Sequence, residues 1–542
     1  MPRWKLLPIL ATVALACTAR ADEADLKARL KRGQVLYIAQ CSMCHQVTGQ
    51  GVPGVYPPLA KADFLRDHPE RAIRAIVEGL SGKITVNGRE YEGRMPAAVL
   101  NDQQAADVLT YVHQAWGNTP RVVTADEVKE VRAKSAFPTF EVLVKANEFA
   151  PLPAPPEGLT VREVARLPEF GTRLASDGRG RVLYVLGQAG AVWRLEVATG
   201  QLRQILKAAD YMDVSRGEPS TLGFTLDSQQ RLWLVTNQRV EGSPFVTNEV
   251  VIFRSPAPIT VEPVKLAPWF RTNYPFGIGP YNHGVSQISF GPDGMLYLAS
   301  GSRTDGGEAG TDPRYYTGGE TDLTACLWRL DPNSEAPKLE AFAHGIRNAY
   351  AFAWDGQRRL FTVSNGPDAD APEEMDFIEP GRHYGFPYQF SDWKKKAYPH
   401  TPDAPAGLAF TPPVMNFGPD AGGAPDAPIG TFDPHSSPAG MAWLGDDWPE
   451  PWRGSFLVSR FGILLARPKD TGFDVVSVKL RKVATGASEA EVRTVLAPLG
   501  RPIDVHPAPG GRAFILEYTR PTNFKDQPGW LPGRVIELAV KR

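Results

Sequence analysis

From residue 158 onward one kind of segment keeps returning, and that recurrence limits the fold more than any other feature of the chain. An entry strand of small or apolar residues leads to a turn carrying Asp and Gly, then to a strand that sets an aliphatic beside an aromatic residue. The second strand recurs as Leu183-Tyr184, Leu232-Trp233, Leu296-Tyr297, Leu360-Phe361, Phe456-Leu457 and Phe514-Ile515. Two units finish almost identically, with Val192-Trp193-Arg194-Leu195 and Leu327-Trp328-Arg329-Leu330. Such short units cannot bury an apolar face alone, and stacking them side by side does so. Six units at an irregular spacing of roughly 50 to 100 residues predict an all-β six-bladed propeller over 158–542. A strand near 535–540 is expected to close the ring with the first blade. A pair of β-sandwiches is the competing arrangement.

The preceding segment reads differently. Arg3 and Lys5, an apolar run from Leu6 to Cys17 and the small-x-small sequence Ala19-Arg20-Ala21 predict a signal peptide over 1–21 and hence an exported, periplasmic chain. Leu15-Ala16-Cys17 is faintly lipobox-like, with Ala14 where leucine is usual. No other apolar run approaches the ~20 residues a membrane span needs, so none is expected. With 59 basic and 60 acidic residues the charge is balanced, which argues against nucleic acid as a partner. Apolar residues at helical spacing over 22–118 predict a small all-α domain. A linker over 119–157 follows, with a polar helix candidate at 125–134 and a stiff run at Pro151, Pro153, Pro155 and Pro156.

Cysteine usage narrows the chemistry. Of four cysteines, Cys17 leaves with the leader, Cys326 stands alone, and Cys41-Ser42-Met43-Cys44-His45 forms one motif. Thiols at i and i+3 followed at once by histidine let one turn deliver two thioethers to a porphyrin edge and an imidazole to its iron. A zinc site would need a second ligand pair, which Cys326 cannot supply.

Gly33 and Tyr37, Pro57-Pro58-Leu59, Gly93-Arg94-Met95-Pro96 and Leu109-Thr110-Tyr111-Val112 complete a pattern that resembles class I cytochrome c over nearly all of 24–118. The resemblance implies haem c, with His45 and Met95 as axial ligands and electron transfer as the task. His113 is the alternative sixth ligand, expected instead as a surface residue of the closing helix.

In the repeat region, Tyr281-Asn282-His283-Gly284 and Phe290-Gly291-Pro292-Asp293-Gly294-Met295-Leu296-Tyr297 resemble the soluble glucose and aldose sugar dehydrogenases of the glucose/sorbosone dehydrogenase family. That resemblance implies a propeller binding pyrroloquinoline quinone and calcium, with His283 as the base that takes a substrate hydroxyl proton. It implies quinone contacts from Arg347, Asn348 and Asn365, and calcium held near Gly366 and Pro367. Glu374, ahead of Glu373, and Tyr384 are implied as support for that loop. Arg460 and Arg501 are implied against the cofactor's carboxylates, with Ile503 where the family usually has a further arginine. Ser302-Arg303-Thr304-Asp305 departs from the aspartate these sugar dehydrogenases carry after Leu298-Ala299-Ser300-Gly301, which points to a substrate other than glucose. His435 is expected in a loop at the channel mouth.

The chain is therefore expected to be a multidomain periplasmic dehydrogenase. It would oxidise a sugar or other alcohol and pass electrons through haem to an external cytochrome, copper protein or quinone. Two rival readings stand beside it: an enzyme like the haem-d nitrite reductases, built on eight blades, and an electron-transfer cytochrome whose cofactor-free propeller is a binding module.

Overall fold

The computed structural model describes all residues except 1–8, 47, 52–55, 136–147, 215–218, 279–282, 311–312, 392–395, 464–469 and 521–530. Side chains are not described over 9–22 or at Arg94, among a few others, and Tyr281 and Asn282 also lie outside the described residues. The chain divides into two compact units, Met1–Ala146 and Asn147–Arg542. Among the described residues, no helix is long and apolar enough to cross a membrane.

In the first unit the long helix Ile9–Gln40 packs on Asp102–Gln114, with shorter helices at Ser42–His45, Asp63–Asp67, Pro69–Glu78 and Ala125–Ala133. Two helices start in reciprocal caps that satisfy their first N–H groups. Asn101 accepts from the Gln104 N–H at 2.9 Å while Gln104 accepts from the Asn101 N–H at 2.9 Å, and Thr124 and Glu127 repeat the arrangement. The long helices cross at Gly33, where a Cβ atom would lie 2.1 Å from the Asp107 carbonyl oxygen and 2.8 Å from Tyr111 Cβ. Arg29 and Arg32 clamp the crossing by donating to Asp107 at 2.9 and 2.7 Å. Gly33→Ala should therefore force the helices apart at a cost of about 1–3 kcal/mol. The expected readout is a lower melting temperature at the haem Soret band, with unfolding of the second unit unmoved.

One feature of this unit goes beyond the helical expectation. Leu80–Val86 and Arg89–Met95 pair as an antiparallel hairpin, turned at Asn87-Gly88, both with positive φ. Asn-Gly favours this tight turn because both residues tolerate that backbone region.

The second unit is a closed ring of six sheets among the described residues. The first sheet runs Gly171–Ser176, Val182–Gly187, Val192–Glu196 and Gln201–Leu206. The second runs Pro219–Leu226, Arg231–Val240, Thr247–Pro258 and Ala267–Pro275, and the third Val285–Phe290, Leu296–Ser300, Cys326–Leu330 and Glu340–His344. Ala349–Trp354, Leu360–Ser364 and Glu374–Ile378 form the fourth. The fifth comprises Pro438–Leu444, Ser455–Arg460, Asp474–Lys482 and Glu489–Leu496, with Met415–Pro419 added in parallel. The sixth comprises Pro502–Ala508, Arg512–Glu517, Arg534–Val540 and Leu159–Arg166. The first strand of each sheet packs on the first strand of the next, all the way round, so these strands line the axis. This is a six-bladed propeller, not the eight-bladed ring of the nitrite reductase reading.

All six aliphatic-aromatic pairs are second strands, buried between neighbouring sheets. Aspartate orders the turn in the first, second and fourth sheets: Asp177 accepts from the Arg179 and Arg181 N–H groups, Asp227 from those of Gln229 and Arg231, and Asp355 from those of Gln357 and Arg359. An Asp side chain that mimics the backbone in this way fixes the turn into the next strand. Closure differs in detail from the expectation. Arg534–Val540 pairs with Leu159–Arg166, the first strand of the unit, but that strand belongs to the sixth sheet and not to the first blade.

A polar plug crosses the axis. Arg173, on the first strand of the first sheet, donates to the Leu222 carbonyl at 3.1 Å, the Tyr350 carbonyl at 2.9 Å and Asp504 at 3.1 Å. Asp504 also accepts from the Leu174 N–H at 2.7 Å. Four of the six sheets thus meet at one buried guanidinium.

Candidate functional site

The first unit holds its motif histidine buried beside the two cysteines. Cys41 lies just before the single turn Ser42–His45, which carries Cys44, and no disulfide joins the two thiols. Burial, with Cys44 alongside, pushes the Cys41 thiol up to about 12. His45 is buried, and its Nδ1 lies 2.9 Å from the Pro57 carbonyl. A carbonyl only accepts, so Nδ1 carries the hydrogen and Nε2 the lone pair. Burial lowers the His45 pKa, against the Pro57 bond. Met95 ends the hairpin and, like Cys41, packs against the core of this unit. Tyr37, at the end of the long helix, donates to the Gln46 carbonyl at 2.6 Å and fixes the chain beyond the histidine. His113 is not the surface residue expected. It is 2% exposed, and burial followed by the Arg121 charge lowers its pKa, because the segment through Thr119 and Arg121 covers it.

In the propeller the expected residues gather at one end of the ring. Neighbouring antiparallel strands run in opposite directions, so residues before a first strand and after a second strand share an edge. His283 and Arg347-Asn348 precede first strands, as does Arg501, while Asn365-Gly366-Pro367 and Arg460 follow or end second strands. His283 Nδ1 lies 3.2 Å from the Ser302 carbonyl and 3.1 Å from Ser302 Oγ, and its N–H donates to the same carbonyl at 3.1 Å. The Ser302 N–H donates to the Arg347 carbonyl at 2.6 Å. A Cβ on Gly301 would lie 2.4 Å from His283 Cβ and 3.1 Å from Asn348 Oδ1, so these side chains converge.

Arg347 is 4% exposed and held on three sides: it donates to Asp305 Oδ1 at 2.7 Å, the Asp305 carbonyl at 2.9 Å and the Asn365 carbonyl at 3.2 Å. Burial is the largest single influence and works against its charge, but Asp305, Asp368, Glu373 and Tyr398 together outweigh it, so its pKa stands above the ordinary arginine value. Asp305 also accepts from the Tyr398 hydroxyl and from the Asp368 N–H at 3.1 Å.

Oxygen atoms cluster beside this arginine. Asn365 Oδ1 is buried without a hydrogen-bond partner. The Gly366 N–H donates to Glu373 at 2.6 Å, and burial raises the Glu373 carboxyl to about 7 against that bond. Of the two glutamates it is Glu373 that contacts Gly366, while Glu374, placed first by the sequence, begins a strand and accepts from the Ser391 N–H. Tyr384, expected to support the Gly366-Pro367 loop, bonds instead to the far end of strand Glu374–Ile378. Its hydroxyl donates to the Phe377 carbonyl at 2.8 Å and accepts from the Glu379 N–H at 2.8 Å.

The two distal arginines both contact protein groups. Arg460 forms a fork with Asp474 at 2.8 and 2.6 Å and reaches Asp433 at 3.5 Å. Arg501 lies between the Phe473 and Phe461 rings, 4.7 and 5.1 Å from their centroids, and donates to the Gly462 and Ile463 carbonyls at 3.2 and 3.1 Å. Ile503 is buried. His435 pairs with Asp370 at 2.8 Å, next to Glu373.

Comparison with known proteins follows this division. Residues 30–116 match the family model described as cytochrome c. Cytochrome c-552 of Thermus thermophilus is 43% identical over 110 residues, which span 18% of this chain and 84% of that protein. The chain belongs to the cytochrome c family. Residues 272–522 match the family model described as glucose / sorbosone dehydrogenase, so a cytochrome c domain is joined here to a glucose/sorbosone dehydrogenase domain. The cytochrome c subunit of the quinone alcohol dehydrogenase of Gluconacetobacter polyoxogenes is 32% identical over 109 residues, 19% of this chain but only 23% of that subunit. The PQQ-bound aldose sugar dehydrogenase of Streptomyces coelicolor overlays 72% of this chain and all of its own, at a TM-score of 0.47 and 21% identity.

Sequence reasoning missed two contacts at this end of the ring and ranked a third residue second. Asp305 anchors Arg347 and Ser302 meets His283, while Glu373, placed behind Glu374, is the one that reaches Gly366. Ser302 and Asp305 stood out as departures from a family pattern, but their partners lie on other strands.

Proposed function

We propose that the protein is an exported, periplasmic quinohaemoprotein dehydrogenase for a sugar or another alcohol, dependent on pyrroloquinoline quinone and calcium, with haem c as its electron outlet. One observation carries this reading: an imidazole held through Nδ1 stands at the same end of the propeller as Asn365 Oδ1, a buried acceptor without a partner, and Glu373, a buried carboxyl. An unpartnered amide oxygen, a buried carboxyl and the Gly366-Pro367 carbonyls are the ligands a hard divalent cation takes. The Asn348 amide and the Arg347 guanidinium suit the anionic rim of a tricarboxylate.

Bound there, the quinone would supply a two-electron acceptor, and calcium would polarise it. The chain's own residues do the rest. His283 Nε2 accepts the proton of the substrate hydroxyl, since its lone pair is the one left by the Nδ1 bond. Asp305 and Tyr398 hold Arg347 so that it keeps one position and its charge. Cys41 and Cys44 are the haem attachment points, with His45 and Met95 as its axial ligands. A His/Met pair leaves the iron no open position, so substrate oxidation belongs to the propeller and electron passage to the haem. An external cytochrome, copper protein or quinone is the final acceptor.

The test loads haem-containing protein with calcium and pyrroloquinoline quinone and screens sugars and alcohols for haem reduction by absorbance. Reduction by at least one substrate, lost on chelation and restored by calcium, is the expected result. If no substrate reduces the haem although the quinone is bound, the propeller is a binding module.

A further inference from the structure

The contacts of Ser302 go beyond joining two loops. We infer that the Ser302 hydroxyl is the positioning group that sets the tautomer and aim of His283; the inference rests on the reading of His283 as the base. Ser302 is 1% exposed, and its hydroxyl donates to the Thr304 carbonyl at 2.8 Å. With its one hydrogen spent there, Oγ turns its lone pairs outward, and the group facing them is His283 Nδ1 at 3.1 Å. The Ser302 carbonyl, at 3.2 Å, is already used by the His283 N–H. The carbonyl has a second lone pair to share with Nδ1, but the hydroxyl is the nearer acceptor and, with its hydrogen on Thr304, offers Nδ1–H only lone pairs, which leaves Nε2 basic.

The loop that carries Ser302 is made rigid from behind. Glu320 accepts from the Arg303 and Thr304 N–H groups at 3.0 and 2.9 Å and from the Thr304 hydroxyl. Arg303 is fully buried and donates to five carbonyls, those of Pro275, Phe276, Tyr316, Gly318 and Gly319. Burial lowers the Arg303 pKa and raises that of Glu320, and each group's charge offsets part of the other's cost. Thr304 cannot swing away, so its carbonyl keeps the Ser302 hydrogen and the direction of Oγ is fixed. A neutral hydroxyl orients the ring without adding a negative charge beside it. This is the use the chain makes of the position at which it departs from aspartate.

The experiment uses the full chain labelled with 15N-histidine and reads the two ring nitrogens of His283, assigned by comparison with His283→Gln, at a pH where the ring is neutral. Wild type is expected as the Nδ1–H tautomer alone. Ser302→Ala should give a mixture of tautomers and a fall of roughly five- to tenfold in the kcat of haem reduction with KM little changed. Ser302→Thr, which keeps the hydroxyl, should restore both. An Nε2–H tautomer in wild type overturns the inference even if the variants fail to fold, as does Ser302→Ala with an unchanged tautomer. A wild-type Nδ1–H tautomer in protein whose haem no substrate reduces would overturn the proposed function and leave the positioning of His283 standing.

Discussion

His283→Gln should lower substrate-driven haem reduction by about a hundred- to ten-thousand-fold while haem and quinone contents stay at the wild-type level. That range is what a positioned base contributes when it removes a proton in the transition state. Glutamine is the informative replacement. Its amide N–H can still donate to Ser302, so the loop that joins His283 to Arg347 keeps its connection. What disappears is a nitrogen able to take a proton. Stopped-flow absorbance of the haem, with the quinone bound beforehand, separates the chemical step from loading. A variant that reduces haem at the wild-type rate would remove His283 from the chemistry and leave it as a loop residue.

The fold was legible where local chemistry and burial agreed. Each aliphatic-aromatic pair is a second strand because such a strand is buried by a sheet on either side, and in the first, second and fourth sheets an aspartate before it makes its own turn. The haem segment was legible because Cys41, Cys44 and His45 must be neighbours in sequence to be neighbours at a porphyrin. Long-range choices were not. Leu159–Arg166 joins the sixth sheet only because the ring closes there, which nothing within that strand records. The hairpin at 80–95 carried its signal in Asn87-Gly88, but the surrounding helical texture outweighed it. The order of Glu373 and Glu374 depends on strand alternation beginning at Glu374, a matter of one residue. His113 reads as a surface position on its own helix and is buried by the segment that follows it.

The axial plug was also invisible, since Arg173 and Asp504 lie 331 residues apart in the chain, and it sets the second large expectation. Arg173→Leu should destabilise the propeller by about 3–5 kcal/mol, the usual result of removing one partner of a buried ion pair. The cost lies chiefly in what is left behind. Burial already raises the Asp504 pKa, and Arg173 is the main group opposing that rise. Without the arginine, the folded-state pKa moves further above the unfolded one. An acid raised in this way binds more protons folded than unfolded, so stability falls as pH climbs from the unfolded carboxylate range through the folded pKa. The deficit of Arg173→Leu should therefore be largest at neutral pH and shrink in acid, where Asp504 is protonated in both states. Melting temperatures of wild type and variant across that range test the sign. Arg173→Leu combined with Asp504→Leu should recover much of the loss at neutral pH, because no charge then remains uncompensated. If the double variant is no more stable than Arg173→Leu, the plug acts through its carbonyl contacts to Leu222 and Tyr350, and the ion pair is incidental to how the six sheets are held around their axis.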